Sequence, residues 1–193
     1  MAHESSISFI TGGVRSGKSS FAERIAMELA QSFNESQLQY IAAMQPSDAE
    51  MKQRISRDKE VRVQSGYCWQ TWEKPILIGE LARTFKSNDI VLLDCLTTWL
   101  NNELFIVEDK WQDEQFQADL FEQMCQGINA ISLKVKALII VSNEVFYEAI
   151  QQNELVLIYS KLLGKLHQYI VTTAKQAFLV EAGIPILMKG EVQ

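Results

Sequence analysis

"ISFITGGVRSGKSSFAERIA", residues 7–26, decides the fold. It joins a short β-branched and aromatic run to a glycine-rich turn, and that turn to a helical pattern. The turn reads GGVRSGKS at 12–19 and satisfies G-x-x-x-x-G-K-[ST] in the required strand–loop–helix context. Gly12, Gly13 and Gly17 let the chain curl with its N–H groups pointing inward, and Val14, Arg15 and Ser16 complete the loop. Those donors, with the N-terminus of the following helix, favour a polyanion. Lys18 is spaced to reach the β- and γ-phosphates of ATP or GTP, and the Ser19 hydroxyl to ligate Mg²⁺. Arg15 has two open readings, a phosphate contact or a solvated loop residue.

Outward from this loop, apolar runs bounded by turn signals recur at 7–11, 38–43, 89–95, 137–142, 177–182 and 184–189. The middle runs are continuously apolar, as parallel strands covered on both faces require. Helical patterns lie between them. Phe21, Ala22, Ile25, Ala26 and Leu29 share one face of the first. Residues 46–62 open with Ser47 and Glu50 in capping-box spacing, and 111–134 and 153–175 also read as helices. Alternating strand and helix predicts a three-layer α/β P-loop NTPase fold with right-handed crossovers. The Gly183 turn before "IPILMK" predicts a hairpin, hence one antiparallel edge strand on a mostly parallel sheet. No linker or repeat divides the chain, so 1–193 reads as a single domain. Asp94 closes the strand "DIVLLDC", where a P-loop fold places the acid that orients the Mg²⁺ shell.

The remaining composition excludes several classes. A net charge of −6 argues against non-specific nucleic-acid binding. Cys68, Cys95 and Cys125 are scattered, with no CxxC pair and with His3 and His167 far away in sequence. They are expected to be reduced core or near-core thiols of a cytoplasmic protein. No apolar run reaches the length of a membrane span, and "MAHESSIS" has no signal-peptide profile. Phe33, Trp72, Trp99 and Trp111 read as core or interface aromatics.

Further segments go beyond a generic P-loop. "TGGVRSGKS" (11–19), "YIAAMQPSDAEMKQRI" (40–55), "WQTWE" (69–73), "LLDCLTTWLNNEL" (92–104), "VSNEV" (141–145) and "AFLVEAGIPILMK" (177–189) together resemble the bifunctional adenosylcobinamide kinase / adenosylcobinamide-phosphate guanylyltransferase family of cobalamin assembly. The Arg-Ser pair before Gly-Lys-Ser is the most specific match. The resemblance implies nucleotide binding by residues 12–19 and by Ala42, Ala43 and Met44. It also implies contacts from Lys59, Glu60, Val61 and Arg62, from Glu73 and from Asp94. It implies an enzyme that phosphorylates the aminopropanol hydroxyl of adenosylcobinamide and then transfers GMP from GTP to that phosphate through a guanylylated histidine. The resemblance further implies a homo-oligomer, a trimer with sites near subunit contacts.

Two departures stand out. The family's histidine lies in "RIxxHRxxRP"; here the stretch is "RISRDKEVRV" (54–63), with Asp58 at the histidine position and Val63 at the proline position. A carboxylate attacking an α-phosphate gives a hydrolysable mixed anhydride and brings negative charge to a triphosphate, so Asp58 reads as a solvated helix acid. After "VSNEV", the family's glycine-rich segment and paired arginines are replaced by "FYEAIQQNELVLIYSKLLGKLHQ" (146–168). His167 there reads as a structural histidine on an apolar-patterned helix. Glu73 and Glu144 are the acids able to orient or deprotonate an acceptor, or are structural strand-end acids. Two other functions fit the same loop: a P-loop kinase of another small molecule, and a nucleotide-binding module without turnover.

Overall fold

A computed structural model describes residues 6–33, 36–44, 66–144 and 153–191. The expected capping box at Ser47 and the whole of 54–63, including Asp58, Lys59, Glu60, Val61 and Arg62, lie outside the described residues.

The described elements run β1 (Ser6–Gly12), α1 (Lys18–Ser32), β2 (Leu38–Ala42), β3 (Trp69–Glu73), a 3-10 turn (Ile78–Arg83), β4 (Ile90–Asp94) and α2 (Leu96–Leu104). Then follow a short 3-10 turn (Lys110–Gln112), α3 (Glu114–Ser132), β5 (Ala137–Asn143), α4 (Glu154–Thr173), β6 (Gln176–Glu181) and β7 (Ile184–Lys189). Seven strands form one sheet in the order β3-β2-β4-β5-β1-β6-β7. All pairings are parallel except β6–β7, the antiparallel edge hairpin expected from the sequence. Ala182 (φ 49) and Gly183 (φ 81) are its two turn residues. Positive φ at both positions is the type I′ geometry that matches strand twist.

The sheet's pleat sorts side chains between two cores. Ile7, Phe9, Ile41, Val91, Leu93, Leu138 and Ile140 face the layer of α2, α3 and α4. Ile10, Leu38, Tyr40, Ile90, Leu92, Ile139 and Val141 face α1. Helix α1 seats on that face through fully buried Ala22 and Ala26. The small methyls let its axis lie close to the strands, while Phe21, Ile25 and Leu29 flank the contact. Among the described residues no helix is long and apolar enough to cross a membrane.

The structure adds two elements to the sequence reading and corrects it at one residue. β3 is a strand although its five residues give no apolar run; it is an edge strand with Gln70 and Glu73 exposed, paired only to β2. Helix α2 is real although it carries two adjacent β-branched threonines and no side-chain N-cap. Burial of Leu96, Trp99, Leu100 and Leu104 overrides that weak local propensity. Cys68 is exposed, whereas Cys95 and Cys125 are buried as expected. Of the four aromatics, Trp99 is core, Trp72 and Trp111 pack against it, and Phe33 is exposed beneath the Lys136 ammonium.

One contact fixes how α3 meets the chain between β3 and β4. A Cβ on Gly79 would lie 2.5 Å from the Cα of Gly127, and one on Gly127 would lie 3.3 Å from Trp99 Cη2. Every atom that a Gly79 side chain would meet is Gly127 backbone, which cannot swing aside. Gly79→Ala is therefore expected to destabilise the fold by about 1–3 kcal/mol. Denaturant unfolding checks this, and an unchanged midpoint contradicts the close approach.

Candidate active site

Parallel strands deliver their C-terminal ends to one edge of the sheet, where α/β folds bind ligands. Register lines up three of the sequence-predicted residues. Ala42 pairs with Glu73 on β3 and with Asp94 on β4, so the three stand abreast on adjacent strands. The same row continues through Val141 on β5 to Ile10 on β1. The P-loop therefore begins two residues further along the row, at Gly12.

The loop is held from both sides. Glu144 N–H donates to Gly12 O at 2.9 Å, and Ser16 N–H donates to Gly13 O at 3.2 Å. From the other side Gly183 N–H donates to Ser16 O at 2.8 Å. A Cβ on Gly12 would strike Val180 O at 2.3 Å, and a Cβ on Gly17, at φ 91, would approach Gly183 Cα at 3.2 Å. The glycines thus serve close backbone packing by the β6–β7 hairpin as well as the curl of the loop. The "EAGIP" turn is part of the site's wall, a role its sequence suggested only through the hairpin signal.

Within this cradle Lys18 is 7% exposed and its Nζ donates to Gly13 O at 3.0 Å. Ser16 Oγ is buried with no hydrogen-bond partner among the described residues. Helix α1 begins with no acidic residue in its first turn, leaving its positive end uncompensated. A buried cation, an unsatisfied hydroxyl and a bare helix N-terminus fit a phosphate chain. Val14 and Arg15 are exposed at the tip, with Arg15 at φ 60.

Asp94 follows the pleat of Ile90 and Leu92, the side chains that face α1. Its Oδ2 accepts from Tyr40 OH at 3.2 Å, which fixes the carboxylate's rotation. Ser19, half-buried in the first turn of α1, lies on the same face. Among the described residues no three His, Cys, Asp or Glu side chains gather as a metal cage. One hydroxyl and one carboxylate suit Mg²⁺, which keeps several waters and shares phosphate oxygens.

Ala42 and Ala43 are buried. Ala42 O accepts from Lys74 N–H at 3.1 Å, and Ala43 N–H donates to Asp94 O at 3.2 Å. Their polar groups are engaged within the chain, so they set where Met44 leaves the sheet. Glu73 is exposed at the end of β3. Thr11 Oγ1 donates to Glu144 Oε2 at 3.4 Å, which holds that carboxylate beside the first glycine of the loop.

His167 is half-buried on α4. Its Nε2 lies 2.7 Å from Ser142 Oγ, and its ring meets Phe9 edge-on at 5.0 Å. Burial holds its pKa down at about 4. The ring is thus neutral and structural, as its helix pattern suggested.

Two expectations follow from this geometry. Lys18→Ala should weaken Mg²⁺–nucleotide binding about 10- to 100-fold, the worth of a charged hydrogen bond. Calorimetry returning an affinity within twofold of the native chain would contradict the cradle. The depressed His167 pKa means the unfolded chain binds more protons between pH 6.5 and 4, so stability falls as pH drops through that window. The loss between pH 7 and pH 5 is about 2 kcal/mol. His167→Gln should flatten that part of the stability–pH curve, and an unchanged slope counts against a buried neutral ring.

Comparison with known proteins places the chain in a family. A family described as cobinamide kinase / cobinamide phosphate guanyltransferase matches residues 8–188. The bifunctional adenosylcobalamin biosynthesis protein CobP of Pseudomonas aeruginosa is 33% identical over 183 residues, covering 94% of this chain and 96% of its own. The bifunctional adenosylcobalamin biosynthesis protein CobU of Escherichia coli is 29% identical, covering 93% of this chain and 98% of its own. The crystal structure of the flagellar accessory protein FlaH from Methanocaldococcus jannaschii superposes with a TM-score of 0.51 at 16% identity. It covers 98% of this chain and 83% of that one, a likeness of fold alone. The family match over residues 8–188, with a relative 33% identical over nearly the whole of both chains, leads to one conclusion: this protein belongs to the cobinamide kinase / cobinamide phosphate guanyltransferase family.

Proposed function

We propose that this chain is an adenosylcobinamide kinase that uses ATP or GTP with Mg²⁺, and that it does not carry GMP on a covalent histidine. The observation that supports the kinase reading best is the P-loop itself. Lys18 is buried at 7% exposure inside a loop buttressed by both neighbouring strands, with Asp94 oriented by Tyr40 two strands away. Phosphoryl transfer asks little more of a protein than positioning and charge stabilisation. The bond from the γ-phosphorus to the β,γ-bridging oxygen breaks, and a bond to the acceptor hydroxyl oxygen forms. The hydroxyl proton passes to a carboxylate or to water, and a nucleoside diphosphate leaves. Lys18 and the loop N–H groups neutralise charge on the transferring group. Mg²⁺, when bound by Ser19 and Asp94, supplies further neutralisation across the phosphates. Glu144, held beside Gly12 by Thr11, and Glu73, at the end of β3, are the acids available to orient or deprotonate the acceptor.

The second half-reaction of the family needs a nucleophile that survives as a nucleotidyl adduct. Imidazole forms a phosphoramidate and leaves readily, whereas Asp58 would form an anhydride that water destroys. Asp58 lies outside the described residues, so this part rests on sequence and chemistry.

The test is purified protein with Mg²⁺, ATP or GTP, and adenosylcobinamide, with products and protein weighed by mass spectrometry. The expected result is corrinoid heavier by one phosphoryl group, with no GMP on corrinoid or protein. An acid-labile, histidine-linked GMP adduct refutes the loss of the second step. No corrinoid product despite bound nucleotide refutes this acceptor and favours another small molecule or a module without turnover.

A further inference from the structure

Asn102 sits half-buried in the last turn of α2. Its Nδ2 lies 2.8 Å from Ala43 O and 3.0 Å from Pro75 O. Both neighbours are carbonyls, so the side chain must turn its NH₂ toward them, and both amide hydrogens are donated to backbone. These two carbonyls mark where strands end. Ala43, at 0% exposure, is the first residue past β2, and Pro75 lies two residues past β3. A buried carbonyl there, left unpaired, costs as much as a lost hydrogen bond.

The next residue strengthens the tie. Glu103 is 4% exposed, and its Oε1 accepts from Leu77 N–H at 2.6 Å and from Trp99 Nε1–H at 2.9 Å. Two consecutive residues of α2 thus hold the exits of β2 and β3 at three backbone points. The same helix starts two residues after Asp94. One rigid element therefore sets the relative positions of the three strand ends that carry Asp94, Ala42–Met44 and Glu73.

We infer that Asn102 is a positioning residue for the part of the nucleotide that lies beyond the P-loop. It touches no ligand itself; it fixes where Met44 and the chain after Glu73 stand. The inference rests on the reading of Ala42, Ala43, Met44 and Glu73 as nucleotide-binding. Strands sit about 4.8 Å apart, and β2 lies three intervals from β1, so its end is about 14 Å from the loop that grips the phosphates. Disturbing Asn102 should therefore weaken contacts to the nucleoside while sparing those to the phosphates.

The test compares Asn102→Asp and Asn102→Ser with the native chain. Aspartate keeps the shape but sets a carboxylate against two carbonyls; serine keeps one short donor and is the variant to read if aspartate does not fold. Dissociation constants with Mg²⁺ are measured for inorganic tripolyphosphate and for whichever of GTP and ATP the native chain binds more tightly. Measurements are made at a temperature where circular dichroism shows each variant folded. Leu120→Ala, on the buried face of α3, serves as a destabilised control. The expected result is nucleotide affinity lowered about tenfold in Asn102→Asp, with tripolyphosphate and the control within twofold. Nucleotide affinity within twofold of native in the folded variants overturns the inference, as does a parallel fall for tripolyphosphate. If the native chain binds nucleotide no more tightly than tripolyphosphate, the reading of the β2 and β3 ends fails first, and this inference with it.

Discussion

Strand β1 lies between β5 and β6, paired in parallel over seven residues on one side and four on the other. A phosphate loop binds well only if its N–H groups are already aimed, because each donor ordered on binding costs entropy. Here the aim comes from the neighbours. Glu144 at the end of β5 and Gly183 in the β6–β7 turn each donate a backbone hydrogen bond to the loop. The Val180 carbonyl stands where any side chain on Gly12 would go. The loop is therefore shaped by strands more than 130 residues away in sequence, and its glycines record that contact as much as the turn.

The rest of the site is a consequence of strand order. Inserting β5 between the P-loop strand and the Asp94 strand opens a gap at the sheet edge. Lys18 and Ser19 approach that gap from α1, and Asp94 points to the same face by the pleat. Tyr40 on β2 then locks the carboxylate from its far side. Further out, α2 ties the exits of β2 and β3, so the edge behaves as one surface from the loop to Glu73. The P-loop and the ends of β2 and β3 thus rest on different supports, the first on its neighbouring strands and the second on α2.

The sequence carried the P-loop, six of the seven strands and the antiparallel edge, because each has a local cause. Glycine spacing, continuous apolar runs and a glycine turn are visible without a partner. It gave no apolar run at β3, where an edge strand leaves Gln70 and Glu73 exposed between and beyond the half-buried Trp69, Thr71 and Trp72. Nor did it show α2, whose threonines disfavour helix until its buried leucines and Trp99 meet the core. Asn102 and Glu103 carry no signal in the sequence, since nothing local says that their partners lie 59 and 26 residues away.

By itself, the sequence determined the residues on offer: a G-x-x-x-x-G-K-[ST] loop at 12–19, an acid at 94, an aspartate at 58 where the family has histidine, and family motifs from 11 to 189. These are properties of residue type and spacing, which the chain holds before it folds. Only the tertiary structure decided which groups act together. It set Glu73, Ala42 and Asp94 abreast, put the hairpin against the loop and buried Lys18 within it. Parallel strands bring distant segments to one edge through backbone hydrogen bonds that any side chain can accompany, so their order leaves no mark on local composition.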